Sequence, residues 1–254
     1  MREFDKEGTV VGVPYQGIME ESATAKYPIG TLYETFGKRF RYCKAYEAIP
    51  LAHRGCPAMQ PASWTAGVMS MGSDQTTVTG IAGDTKVSIY TGIDYDIAHA
   101  VDYFQGGMLT LFTGTTVEQH RIIGNDASYT GTLANDTFDA YIEPGLRIAR
   151  AGVACDIMSS PYAFVGSSAS VGTGNSVVVV PQIPITSTYY FWGQTKGPCF
   201  VSPSVEWTTA STREAEWHID GTIKAGAGVA LQRAGYVIYD NGTDADSYVM
   251  LMLE

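Results

Sequence analysis

Histidine is the first residue type to test for metal binding or proton transfer, and the chain has four: His53, His99, His120 and His218. None lies within four residues of another, so the close pairs that put two imidazoles on one metal are absent. A nucleophile elbow needs Gly-x-Ser-x-Gly at a strand-to-helix turn, and Gly166-Ser167-Ser168 lacks the closing glycine. Gly226-Ala227-Gly228 opens a phosphate loop but has neither the third glycine nor a following helix, so it reads as a strand connection. The loop from Asp240 to Asp246 offers oxygens for calcium, yet its spacing departs from the EF-hand order and no glutamate closes it. Its Asn, Gly and Asp residues suit a hairpin turn. Asp94 with Asp96, or Glu214 with Glu216, are the first carboxylates to consider for glycoside hydrolysis, where the pair meets in space. Solvated acids on strand faces or loops are the simpler reading. Cys43, Cys56, Cys155 and Cys199 are scattered without a CxxC pair, as small buried hydrophobes are. The expectation is therefore no catalytic, cofactor-binding or metal-binding set, no cofactor, and no enzymatic activity.

The elements around these residues read as strands. Only 17% of residues are charged while Gly (28) and Tyr (16) are plentiful, a profile of strands joined by tight turns. Residues 1–28 are punctuated by Gly8, Gly12, Pro14, Gly17 and Pro28 and read as an extended arm. A hairpin follows, residues 29–35 and 38–45 about a Phe36-Gly37 turn. Residues 48–61 hold three prolines and form a connector. Strands are then expected at 76–80 and 86–91 around Gly83-Asp84, and at 108–113 and 118–123 around Gly114-Thr115. Further strands are expected at 146–149, 163–165, 176–180, 189–193, 197–201, 222–225, 235–239 and 247–253. Residues 93–104 have room for a short helix, and Ser211 to Glu214 matches a capping box, although Thr212, Glu214 and Glu216 also alternate as a strand does. The fold class is mainly β: an antiparallel β-sandwich or barrel body with an extended N-terminal arm and hairpin. Two domains are expected, the arm and hairpin at 1–60 and the body at 61–254.

Charge separates these parts. Residues 1–60 carry eight cationic against seven anionic side chains, about +1, so the remainder carries about −11 of the net −10. An acidic body disfavours nucleic acid, which needs a basic face to displace counterions. No run approaches eighteen apolar residues, and the start of the chain has no apolar signal, so no membrane is expected. In the hairpin, Lys38, Phe40, Tyr42 and Lys44 alternate with Arg39, Arg41 and Cys43. Cations on both faces fit an edge or interface better than a closed core. The segment from Tyr189 to Cys199 (YYFWGQTKGPC) sends Tyr189, Phe191 and Gly193 one way and Tyr190, Trp192 and Gln194 the other. Core packing accounts for one face; the second needs a partner.

YYFWGQTKGPC resembles a motif of virion structural proteins of tailed bacteriophages. Residues 102–125, 27–45 and the closing AGYVIYDNGTDADSYVMLML are similar to that family's glycine-bracketed strand pair, opening hairpin and closing hairpin. The resemblance implies a capsid decoration or cement protein on the outer surface of the phage head, made in the host cytoplasm, without catalytic residues. Its partners would be the major capsid protein and further copies of itself, as a trimer or other homo-oligomer. Lys38, Arg39, Arg41, Lys44, Tyr190 and Trp192 are the expected contact residues. Deletion of residues 1–28 is expected to abolish particle binding and leave the body folded. The competing class is a receptor- or carbohydrate-binding β module of a tail fibre or tailspike.

Overall fold

A computed structural model describes residues 9–10, 13–59, 77–90, 100–112, 117–127, 137–168, 175–204, 213–226, 231–240 and 247–254. The loop candidates Asp94, Asp96 and His99, and residues 241–246 of the acidic loop, lie outside them. The described chain is built from strands, with barrel and sheet together giving the β body the alternation implies.

Two compact units form, one of Met1–Met59 with Pro161–Glu254, the other of Gln60–Ser160. The chain passes from the first unit to the second between Met59 and Gln60. The first 59 residues nevertheless share a unit with the C-terminal third instead of standing apart from a 61–254 body.

The strands of the first unit begin with β1 (Thr9–Val10), β2 (Leu32–Thr35), β3 (Lys38–Lys44) and β4 (Cys56–Pro57). The second unit holds β5 (Thr77–Gly80), β6 (Lys86–Tyr90), β7 (Met108–Phe112), β8 (Val117–Asn125), β9 (Thr137–Glu143) and β10 (Arg150–Met158). The chain then returns to the first with β11 (Val177–Pro181), β12 (Tyr190–Phe200), β13 (Glu214–Trp217), β14 (Ile223–Ala225), β15 (Arg233–Asp240) and β16 (Ser247–Met252).

In the second unit β10-β5-β6-β9-β8-β7 close into a six-stranded antiparallel barrel. Strict alternation fills it: Leu109 and Leu111, Ile122, Phe138, Ala140, Ile142, Cys155 and Ile157 point inward and are buried. Closure removes free edges, which an open six-stranded sheet would leave exposed to pairing. The expected strand at 146–149 is instead the loop leading into β10; of the segment 93–104 with room for a helix, residues 93–99 lie outside the described residues and residues 101–104 are turns.

In the first unit one sheet runs β1-β2-β3-β12-β16-β15-β13-β14, with β11 pairing both β12 and β4. The two expected strands at 189–193 and 197–201 are one, β12, eleven residues long with a bulge between Gln194 and Lys196. Gly193 lets β11 approach: a Cβ there would lie 2.5 Å from Val179 Cβ. Gly197 adopts φ +93°, and a Cβ would lie 2.2 Å from the Gly37 carbonyl oxygen at the hairpin tip. The Gln194 amide spans the bulge by donating to the carbonyls of Lys196 (3.1 Å) and Pro198 (3.0 Å). Residues 214–217 form β13, which places Glu214 and Glu216 in a strand; Ser211 and Thr212 of the capping-box reading lie outside the described residues.

β3 is not an edge. It lies between β2 and β12, with Phe40, Tyr42 and Cys43 fully buried. Its cations were poor guides because long basic side chains run along a sheet to reach solvent while their neighbours are buried.

Candidate interaction surfaces

The second face of β12, expected to need a partner, is covered by the chain's own arm. Val10 and Tyr27 join Phe40, Tyr42 and Trp192 in one apolar cluster, with the Tyr27 ring 5.2 Å from Trp192 and 5.3 Å from Tyr42. Gln16 secures it. Its side-chain amide donates to the carbonyls of Glu20 (2.9 Å) and Tyr190 (2.8 Å), and its side-chain oxygen accepts from the Tyr42 hydroxyl at 2.7 Å. Its backbone carbonyl accepts from the Trp192 indole at 2.9 Å. Ser22 and Tyr190 exchange backbone hydrogen bonds, and Glu21 accepts from the Thr186 amide and hydroxyl.

This placement changes the expected contact set. Trp192 is 1% exposed and faces the arm, so it offers nothing to a partner. Tyr190 is half-buried, stacked on Tyr42 at 6.0 Å. Lys44 lies 5.5 Å over the Tyr190 ring. Arg39 pairs with Glu34 (2.6 Å) and reaches Glu254 (3.6 Å). Arg41 pairs with Glu254 at 2.7 Å and donates to the Gly30 carbonyl at 2.9 Å. Burial pushes the Glu254 carboxyl up, but Arg41, the Tyr162 hydroxyl and Arg39 outweigh it and hold it below the ordinary range. Two of the four hairpin cations are thus ion-paired within the chain, and a third, Lys44, lies over one of its rings. Lys38, beside the turn, is half-exposed.

Two apolar surfaces that sequence reasoning passed over stand out. At the hairpin tip Phe36 is 97% exposed and has φ 47°, followed by Gly37 at φ 73°. The other lies across β12, β16 and β15, where the register pairs Pro198 with Met250 and Met250 with Tyr236. Phe200 pairs with Tyr248, their rings 5.8 Å apart, and Tyr248 pairs with Tyr239. The opposite face of the same strands, Cys199, Val249, Leu251 and Val237, is core. A bulge between Val237 and Tyr239 turns consecutive residues outward, leaving Ile238 44% and Tyr239 55% exposed. The sequence signal was legible: YVIY and YVMLM are apolar at both phases of the alternation.

Among the described residues, the candidate carboxylates Glu214 and Glu216 do not converge. Glu214 pairs with Arg233 at 2.7 Å on the surface, while Glu216, two residues along β13, is buried. Among the described residues no three His, Cys, Asp or Glu side chains gather as a metal site. All four cysteines are buried and unbridged; burial raises each thiol, to about 12 for Cys155 and Cys199. One buried ionic cluster sits inside the barrel. Glu118 accepts from the Arg150 guanidinium and from the Arg147 backbone N–H at 2.9 Å. His120 Nε2 lies 3.1 Å from Glu118, and Nδ1 donates to the Pro144 carbonyl at 2.7 Å. Comparison with protein-family models, curated proteins and solved structures finds no match to this chain.

Proposed function

We propose that this chain is a structural, non-catalytic subunit of a tailed-bacteriophage particle, a decoration or cement protein that binds the major capsid protein on the outer head surface. The observation that carries the reading is Phe36. A two-residue hairpin turn with φ > 0 at both positions favours Asn-Gly. Phenylalanine there incurs backbone strain and leaves a whole ring in water. A residue that costs stability on both counts, at the tip of a hairpin stiffened by the Arg39–Glu34 pair, is suited to fill a partner's pocket. Lys38 beside it would meet acidic lattice groups. The resemblance of residues 27–45 to the opening hairpin of phage virion proteins agrees with this use.

Cosedimentation with particles lacking the protein tests the reading. Phe36→Asn is expected to keep or raise the melting temperature while weakening particle binding at least about tenfold, the cost of losing one aromatic anchor. Unchanged binding would overturn it. The exposed Tyr236, Tyr239 and Tyr248 favour a second reading, a carbohydrate-binding module of a tail fibre, whose signature is glycan-array binding that Phe36→Asn leaves intact.

A further inference from the structure

We infer that the outer face of β12, β16 and β15 is the contact between two copies of this chain, packed sheet on sheet about a twofold axis that runs along β16. Central strands of an antiparallel sheet ordinarily present polar residues on the uncovered face. Here Pro198, Phe200, Tyr236, Tyr239, Tyr248 and Met250 are paired neighbours, and Ile238 and Met252 extend the surface. Tyr236, Ile238, Tyr239, Tyr248 and Met252 are 44–55% exposed. At about 200 Å² for a full tyrosine, the face offers roughly 600 Å², the top of the range for a solitary patch on a monomer. With its charged rim it approaches the roughly 800 Å² that each partner gives to a stable interface.

The absence of charge lets two copies of this acidic chain meet on this face. Two chains of net charge −10 repel wherever their acidic surfaces meet. None of the eight residues named for this face carries a charge. Its rim carries Lys196 on β12 at one side and, at the other, Glu214 of β13 paired with Arg233 of β15 at 2.7 Å. In face-to-face packing, an axis along the strands lays each Lys196 over the Glu214–Arg233 side of its partner and keeps the two lysines apart. An axis across the strands would bring the two Lys196 sides together. Stacked aligned sheets would then lie about 10 Å apart.

The inference goes beyond the lattice reading, which rests on Phe36, and its test needs no particle. Sedimentation of the full-length protein is expected to show a dimer. Tyr236→Ser with Tyr248→Ser, both outward-facing, is expected to weaken association roughly a hundredfold with an unchanged circular dichroism spectrum. A monomeric or trimeric wild type overturns the proposal. So does a dimer indifferent to the tyrosine pair.

Discussion

Gln16 shows how much a single polar residue can organise. It is 3% exposed, yet both side-chain ends and its backbone carbonyl are hydrogen-bonded, joining the arm to β3 and β12. Gln16→Ala is expected to cost about 1–3 kcal/mol in urea denaturation, because the Tyr42 hydroxyl loses its acceptor and the Tyr190 carbonyl a donor. Burial, the first cause, and neighbouring Tyr190 raise the Tyr42 phenol to about 12 against the Lys26 backbone N–H, so it donates at all ordinary pH. Phe36 is the opposite case, a residue whose native position favours replacement for stability. From sequence, Gln16 was an unremarked arm residue and Trp192 a candidate contact. Their roles depend on a pairing 176 positions apart in the chain, which no local pattern encodes.

At the scale of elements, the barrel carries its own acid sensitivity through β8 and β10. Burial pushes the Glu118 carboxyl up, but the Arg150 hydrogen bond and the Arg147 N–H outweigh it, so the folded value lies below the ordinary 4.5. A depressed carboxylate stabilises the fold above its unfolded value, and that contribution is lost as pH falls through the folded value. Glu118→Gln strands the Arg150 charge in the barrel and is expected to cost about 3–5 kcal/mol at neutral pH. Thermal melts from pH 7 downward should show the wild type–variant gap closing once pH drops below about 4.5; a constant gap would argue against the ion pair. The same strands show what periodicity can reveal. β7 and β8 were expected nearly as found, because glycines bracket them. β9 was missed although Phe138, Ala140 and Ile142 alternate inward, and β12 was split in two because its bulge shifts the phase of the alternation.

For the whole molecule, the arm is a cover and not a detachable clamp. The expectation that residues 1–28 can be removed without harm to the body fails on contact geometry: Val10, Gln16 and Tyr27 are buried against β3 and β12. Their deletion uncovers Trp192, Tyr42 and Phe40 together. Such a truncation is expected to be insoluble or to bind hydrophobic dyes, with a melting temperature well below the full chain's. A truncated protein that melts like the full chain would refute this role. The return of residues 161–254 to the N-terminal unit is not legible in the sequence, because it depends on pairing between distant strands.

Sequence by itself determined the mainly-β class, because turn residues and period-two alternation are local properties of the chain. It also determined the absence of short-range metal and nucleophile spacings, and the charge imbalance between the first 60 residues and the rest. Tertiary structure alone decided which apolar face is covered in cis and which stays bare. YYFWGQTKGPC and the closing hairpin both read as apolar on two faces; the arm lies over Trp192, while Tyr236, Tyr239 and Tyr248 remain open to water. Alternation fixes which side chains share a face, but what covers that face is set by long-range packing.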